Sequence, residues 1–135
     1  MAILDLLKKD SRLSIRDIAK KTGIRPSTVH QRISNLRKHG VIEKFTVKLD
    51  NKSVGENFIV MMLVKMKPNV VLGSKIINDK HVKEVFGVTG EYDLILKLKF
   101  KNIEEFNDFV IKFRKEQQVI TTMTMVVTAN VKEEI

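Results

Sequence analysis

The sequence predicts an α+β protein in which a small helical part is followed by a larger part of alternating strands and helices. Apolar residues before residue 40 recur at helical spacing, whereas those after residue 57 form patterns in the order β-α-β-β-α-β. A segment of turn composition, residues 50–55, separates the two patterns. Since 43% of the 135 residues are hydrophobic, the chain can form packed cores. We therefore predict domains at 1–50 and 57–135, joined by a linker at 51–56.

The first two predicted helices are short. The first has an apolar stripe of three residues, Ile3, Leu4 and Leu7. Ser14 can cap the second helix, because its side chain can accept a hydrogen bond from a backbone N–H in the first turn. Gly23 ends that helix, since glycine readily adopts the left-handed conformation required just past a helix.

A third helix is predicted to begin at Pro26, and its buried stripe is Val29, Ile33 and Leu36. Two short helices joined by a tight turn form a helix-turn-helix, which places its second helix in the major groove of DNA. Polar side chains in the first turns of such a helix can reach base edges, and the flanking cations can reach phosphates. The residues predicted to contact DNA are Arg25, Ser27, Thr28, His30, Gln31, Arg32, Asn35, Lys38 and Lys44.

The segment after the third helix and the charge distribution favour the same partner. Residues 41–50 alternate loosely, as a strand or β-wing does, which would bring Lys44 near the DNA backbone. Residues 1–50 carry 12 Lys/Arg and 5 Asp/Glu, a net charge of +7, whereas residues 51–135 carry 13 and 11, a net of +2. Five of the six arginines lie in the first part. Because the planar guanidinium matches phosphate oxygens, we expect double-stranded DNA to bind there.

Strands and helices of the second part are predicted from its apolar patterns. The strands are expected at 58–66, 82–88, 94–100 and 119–131, and the helices at 70–77 and after Asn102. On the last strand Val119, Met123 and Met125 are predicted to share one face. The element order is that of the split βαβ, or ferredoxin-like, fold. Two helices cover only one face of four strands, while strand 58–66 is apolar on both sides, so we expect a homodimer.

Several kinds of protein are excluded by composition and spacing. The chain has no cysteine, and its three histidines (His30, His39 and His81) are too scattered for a metal site, so neither a metal nor a cofactor is expected. No apolar run is long enough for a membrane span, and the first residues lack a secretory pattern, which predicts a cytoplasmic protein. Glu91 and Asp93 have no accompanying nucleophile, so the chain is not expected to be an enzyme.

Five motifs together resemble the Lrp/AsnC (feast/famine) family of prokaryotic transcriptional regulators. They are DSRLS at 10–14, IAKKTG at 18–23, PSTVHQRI at 26–33, LRKHGVI at 36–42 and VTGEYD at 88–93. The resemblance covers almost the whole chain, at residues 10–55 and 57–131. It implies a winged helix-turn-helix domain, a strand linker, and a ferredoxin-like domain that senses a ligand and dimerises.

The resemblance also implies further assembly and a small effector. Dimers in this family often form tetramers or octamers, and amino acids bind between dimers near the Gly-Glu-Tyr-Asp loop. Carried onto this sequence, the effector residues are Thr89, Gly90, Glu91, Tyr92 and Asp93, with Thr122 and Thr124 on the last strand. Asp93 is a plausible partner for the effector's ammonium group, with exposed backbone N–H groups for its carboxylate.

The sequence departs from the family pattern at two places, and it leaves two alternative functions open. The first helix is shorter than usual, and Arg25 stands where a capping serine is usual, at a cost of about 1 kcal/mol. The first alternative is an enzyme like the sirohaem decarboxylases, which use the same architecture around a tetrapyrrole. The second is a stand-alone amino-acid sensor that acts on a protein partner.

Overall fold

The computed structural model describes residues 2–135, which divide into two compact units. The first ends at Lys48 and the second is Leu49–Ile135. The predicted linker, 51–56, lies inside the second unit, where the Asn51 side chain accepts a hydrogen bond from Lys99 Nζ at 2.7 Å. None of the helices within residues 2–135 is long and apolar enough to cross a membrane.

The first unit is a bundle of three helices: α1 (Ala2–Lys9), α2 (Ile15–Thr22) and α3 (Pro26–Lys38). Its core consists of Ile3, Ile18, Ala19 and Val29, in which Val29 of α3 is fully buried in one cluster with Ile18 and Ala19 of α2. The predicted helix ends are confirmed. Ser14 Oγ accepts a hydrogen bond from the backbone N–H of Asp17 at 3.0 Å, and Gly23 adopts φ 73° with its N–H donating to Ala19 O.

Residues 41–50 do not form the predicted strand or β-wing. The segment has neither helix nor strand structure, although its apolar residues alternate as expected and are about half exposed: Val41, Phe45, Val47 and Leu49. A strand requires a hydrogen-bonded neighbour, and no strand of this unit lies within the described residues. The apolar residues therefore alternate as the sequence predicted, but the described residues of this unit provide no strand to which the segment could hydrogen-bond.

The second unit contains one antiparallel sheet of four strands with two helices. Its elements in chain order are β1 (Phe58–Met66), α4 (Ser74–Ile77), β2 (Val82–Gly87), β3 (Leu94–Phe100), α5 (Ile103–Glu116) and β4 (Val119–Val126). The strand order is β2-β3-β1-β4, with every neighbouring pair antiparallel. Alternate residues of β1 and β3 pack with Phe109 and Phe113 of α5 in the core. The predicted ferredoxin-like arrangement is confirmed.

Two elements are shorter than predicted. The helix expected at 70–77 is only the single turn α4, because Val70 and Leu72 pack on the core from a non-helical loop. The last strand ends at Val126 instead of residue 131: the N–H of Val127 still donates to Ile59 O at 2.9 Å, but residues 128–131 have no strand structure.

The predicted face of Val119 is also wrong. Met66 of β1 pairs with Val119, whereas Lys65 pairs with Thr121, so Ile120 is an extra residue in β4. Such a bulge reverses the direction of the side chains that precede it. Val119 therefore packs on the core, on the opposite face from Met123 and Met125.

The sheet face away from the helices is apolar and only partly covered. β1 was expected to be covered on both sides, but Ile59, Met61 and Leu63 on this second face are only half-buried. Opposite them on β4, Met123 and Met125 are 46% and 42% exposed. The chain thus covers one face of its sheet and leaves an apolar surface on the other.

The C-terminal segment crosses one end of that second face and is anchored by an ion cluster. The carboxylate of Glu133 contacts Nζ of Lys97 and, at 2.9 Å, Nζ of Lys99, and it accepts a hydrogen bond from Asn51 at 3.1 Å. The Glu133 side chain is only 14% exposed. The hydrogen bonds from Lys97 and Lys99 lower the pKa of Glu133 from 4.5 to about 2.

A histidine links the start of β2 to α5. Nδ1 of His81 lies 2.8 Å from Asp79 Oδ1, Nε2 lies 2.7 Å from Glu105 Oε1, and the ring stacks on Phe100. Burial by itself would raise the pKa of Asp79, but hydrogen bonds from the His81 backbone and side chain bring it below 3.8. Both carboxylates lie within hydrogen-bonding distance of the His81 ring, so this cluster ties the start of β2 to α5.

Candidate functional site

The polar face of α3 is open to solvent along its whole length. Val29 and Leu36 attach the helix to its unit, and the side chains on the other faces project outward. Of the residues predicted to contact DNA, Thr28 is half-buried and the following are exposed: Arg25, Ser27, His30, Gln31, Arg32, Asn35, Lys38 and Lys44. Gln31 Nε2 donates to Asn35 Oδ1 at 3.3 Å, one turn along the helix, so these two amides act as a pair. The helix presents a convex, polar and cationic surface of the kind that fits a major groove.

Arg25 is the N-cap residue of α3, and its side chain makes no capping hydrogen bond. The backbone N–H groups at this helix end therefore lack the side-chain acceptor that Ser14 provides for α2. Arg25 instead places a guanidinium at the end of the helix that carries partial positive charge. This arrangement suits a phosphate, which can take both the guanidinium and the helix N–H groups.

Replacing Arg25 by serine is expected to change stability and DNA affinity in opposite directions. The serine oxygen would cap α3 and stabilise the first unit by about 1 kcal/mol, a rise in melting temperature. The lost guanidinium would weaken DNA binding and reduce the slope of log affinity against log salt by about 1. Thermal melts and binding titrations at several salt concentrations measure both effects. Arg16→Ser on α2 is the charge-matched control, and a parallel gain or loss in both quantities would contradict this role for Arg25.

Arg37 is a structural residue of this surface that the sequence analysis did not single out. Its Nη1 donates to the carbonyl of Glu43 at 2.9 Å, and its guanidinium lies 5.5 Å from the ring centroid of Phe45. Both contacts hold the segment after α3, which includes Lys44, against the end of the helix. The signal in the sequence was an arginine near the helix C-terminus, followed by an aromatic residue in a segment without regular structure.

The residues predicted for effector binding are spread along one end of the sheet. Thr89, Gly90 and Glu91 are exposed in the turn between β2 and β3, and Tyr92 beside them is half-buried. Thr122 faces Val64 of β1 and Thr124 faces Met62, on the neighbouring strand β4. The structure thus places the turn and β4 on opposite sides of β1.

Asp93 has a structural role that its sequence position did not reveal. Its Oδ2 accepts a hydrogen bond from the backbone N–H of Met66 at 2.8 Å, and its own N–H donates to Val64 O at 2.9 Å. These bonds fasten the β2–β3 turn to the end of β1. One carboxylate oxygen is therefore already engaged before any ligand binds.

A cleft of about 600 Å³ opens beside Asp93. Its wall comes mainly from the end of β1 and the loop that follows, residues 65–72, with Asp93, Leu94 and Ile120 completing it. Asn69 in this loop adopts φ 62°, a left-handed conformation in which asparagine is tolerated. The turn residues 89–92 do not line the cleft, so of the predicted effector set the structure places only Asp93 in its wall.

Within the described residues, no group of three or more His, Asp or Glu side chains is arranged to hold a metal ion. Glu91 and Asp93, the carboxylate pair considered from the sequence, differ in surroundings. Glu91 is exposed in the turn, whereas Asp93 is bonded to the β1 backbone.

Two family models match the chain, one for each unit. Residues 1–43 match a model described as winged helix-turn-helix DNA-binding, and residues 59–135 match the Lrp/AsnC ligand binding domain. The chain belongs to the Lrp/AsnC family. The resemblance inferred from the five sequence motifs is thereby confirmed.

Similar regulators and solved structures support this assignment over almost the full length. The HTH-type transcriptional regulator FL11 of Pyrococcus furiosus is 37% identical, covering 97% of this chain and 88% of its own. The structure of LrpC of Bacillus subtilis is 26% identical with a TM-score of 0.86, covering 98% and 94%. A transcriptional regulator of Neisseria meningitidis, solved in complex with L-Met, shares the fold at 20% identity and a TM-score of 0.88, covering 98% and 90%. This Lrp/AsnC protein is a helix-turn-helix transcriptional regulator and not an enzyme.

Proposed function

We propose that this regulator reads a specific DNA sequence with the exposed face of α3. The observation that carries the proposal is the open polar face of that helix, anchored by Val29 and Leu36 on a unit rich in arginine. Ser27, Thr28, His30, Gln31 and Arg32 lie in its first two turns, where side chains of a recognition helix meet base edges. Asn35 and Lys38 extend the same face by a turn. Prokaryotic DNA lies in the cytoplasm, so we place the protein there.

The contacts divide into base readers and phosphate anchors. Arginine donates two parallel hydrogen bonds to guanine, and glutamine pairs similarly with adenine, so Arg32 and Gln31 are assigned as readers. Arg25 at the N-cap and Lys44 beyond α3 are assigned as anchors, since a cation on a phosphate binds every sequence alike.

We further propose that the protein acts as a homodimer, with tetramers or octamers formed from dimers. The half-exposed apolar face of the sheet, with Leu63, Met123 and Met125, supports the dimer because a second copy of that face would cover it. A dimer presents two copies of α3 to half-sites one or more helical turns apart.

An amino acid or related small molecule is the proposed effector, bound near residues 89–93 with Thr122 and Thr124 contributed from β4. Support comes from two proteins of similar structure, one from Neisseria meningitidis and one from Mycobacterium tuberculosis, which were solved in complex with L-methionine. Since Asp93 Oδ2 is bonded to Met66, the turn can offer an ammonium group the second oxygen of Asp93 without losing its attachment to β1. The effector would change how dimers associate and so alter the spacing of their DNA-binding units.

In vitro selection of bound DNA from a random pool tests the DNA proposal. The wild-type chain is expected to enrich a motif with two related half-sites, with an affinity that falls steeply as salt is raised. Failure to retard any DNA at low salt would contradict DNA binding. Retardation without enrichment would contradict sequence reading by α3.

Arg32→Ala and Lys44→Ala are expected to weaken binding to the selected DNA in different ways. Loss of the Arg32 guanidinium should cost about 1–3 kcal/mol at one base position and relax the preference there. Loss of the Lys44 ammonium should weaken all sequences uniformly and lower the salt slope by about 1. Repeating the selection with each variant, and titrating specific and mutated sites, measures the difference. Identical behaviour of the two variants would overturn the division into readers and anchors.

A further inference from the structure

A second cleft, of about 650 Å³, lies where α5 meets the start of β4, and it is lined with cations. Arg114 and Lys115 line it from the last turn of α5, and Lys67 lines it from the loop after β1. The remaining wall is polar apart from two residues and consists of Gln117, Gln118, Val119, Ile120, Thr121 and Thr122. We call this the basic cleft.

The three cations of the basic cleft have no acidic partner in the part of the chain that the structure describes. No aspartate or glutamate lines the cleft, and no ion pair to Lys67, Arg114 or Lys115 occurs among the described residues. Some lysines of this unit do have such partners, as Lys83 has with Glu56 and Lys97 with Glu133. Three like charges around one concavity repel one another, and an anion between them would relieve that repulsion.

The walls of the basic cleft are held in place by backbone and side-chain bonds. The backbone N–H of Lys67 donates to Gln118 O at 3.4 Å, which ties the loop after β1 to the segment before β4. The side-chain oxygen of Gln117 accepts from the N–H of Gly73 at 3.2 Å, which ties the end of α5 to the start of α4. A ligand would therefore meet a preformed site and would order little additional chain.

The end of α5 explains only part of this arrangement. A helix C-terminus carries partial negative charge, so Arg114 and Lys115 stabilise α5 wherever they point. Lys67 belongs to a different segment and has no such reason to face the same cleft. Because the helix end by itself would repel an anion, the sign of the potential in the cleft depends on all three cations.

We propose that the basic cleft binds a small anionic metabolite through carboxylate or phosphate oxygens. Lys67 and Arg114 bind the charged oxygens, and Gln118 is the polar group that can hydrogen-bond the rest of the ligand. The site is separate from the cleft beside Asp93, although Lys67 and Ile120 lie on the boundary of both. The inference does not depend on DNA binding or on the amino-acid effector.

Ligand-induced thermal shifts and calorimetry on the full chain test the proposal with two probes, inorganic phosphate and glutarate. Ionic strength is kept constant at about 0.15 M so that general screening does not change. A diamine of the length of glutarate, 1,5-diaminopentane, serves as the probe of opposite charge. The variants are Arg114→Gln and Lys67→Gln. The matched control is Lys112→Gln, which removes the same charge from α5 but on the side near Asp79.

The expected result is saturable binding of phosphate, glutarate or both, and none of the diamine. Arg114→Gln and Lys67→Gln should each weaken that binding by about tenfold, while Lys112→Gln leaves it unchanged. The anion that binds with the lower dissociation constant identifies the ligand oxygens as phosphate or carboxylate. Absence of saturable anion binding, or an equal loss in Lys112→Gln, would overturn the proposal. So would an effect of Arg114→Gln on DNA affinity alone, because the cleft would then be a nucleic-acid contact.

Discussion

Replacing Glu133 by glutamine is expected to destabilise the second unit by about 3 kcal/mol at neutral pH. The carboxylate is mostly buried between Lys97 and Lys99, and the pKa of Glu133 falls from 4.5 to about 2 in this position. Glutamine keeps the shape and the bond to Asn51 but leaves the two lysines without their shared counter-charge. For a unit of this size the melting temperature should fall by on the order of 10 °C or more.

The effect should depend on pH with a definite sign. A carboxylate whose pKa is depressed in the folded state stabilises the fold above its unfolded pKa, and that contribution is lost as pH falls through the folded pKa. The difference between wild type and Glu133→Gln should therefore be full above about pH 5 and should shrink between pH 4.5 and about 2.

Denaturant unfolding followed by tyrosine fluorescence measures this difference for the second unit alone. Tyr92 is the only tyrosine in the chain, which has no tryptophan. Glu134→Gln is the control, because Glu134 is 75% exposed and, within residues 2–135, its one ion pair is with Lys132 at 3.5 Å. We expect it to change stability by less than about 0.5 kcal/mol. Equal stability of Glu133→Gln and wild type at pH 7 would show that the cluster does not hold the C-terminal segment.

Met123→Glu is expected to break the proposed dimer without unfolding the chain. Met123 lies next to Leu63 on the apolar face of the sheet and is 46% exposed in the single chain, so water can solvate a carboxylate there. In a dimer that buries this face the same carboxylate would lose its hydration. The cost of about 4 kcal/mol raises the dimer dissociation constant by about a thousandfold.

Sedimentation velocity over a range of protein concentrations measures this dissociation. Ile111→Glu is the matched control, since Ile111 is 56% exposed on α5, which covers the other face of the sheet. DNA affinity should fall together with dimerisation in Met123→Glu, because a monomer can contact only one half-site. If Ile111→Glu dissociates the protein and Met123→Glu does not, the dimer forms through the helical side.

Features that depend on a few neighbouring residues were predicted correctly. Helix α2 begins after Ser14 and ends before Gly23 as expected, because a capping side chain and a left-handed glycine act within one turn of the chain. The strand predicted at 94–100 likewise formed as β3, and its alternate residues Leu96 and Leu98 lie in the core. The ferredoxin-like order followed from the succession of such elements.

The errors occurred where the outcome depends on a distant partner. Residues 41–50 alternate like a strand but have no neighbouring strand in their unit, so the pattern alone did not produce one. The bulge at Ile120 moved Val119 to the other face, and the bulge arises from the pairing of β4 with β1. Neither event leaves a signal in the local sequence.

The sequence by itself determined the helix-turn-helix, the ferredoxin-like order and the family, because periodicity, caps and motifs are properties of short segments. Only the tertiary structure decided which charged groups meet. It joined Glu133 to Lys97 and Lys99, engaged Asp93 with Met66, and brought Lys67 to Arg114. These residues are far apart in the chain. Their meeting depends on strand register and on loop closure, which short-range patterns do not specify.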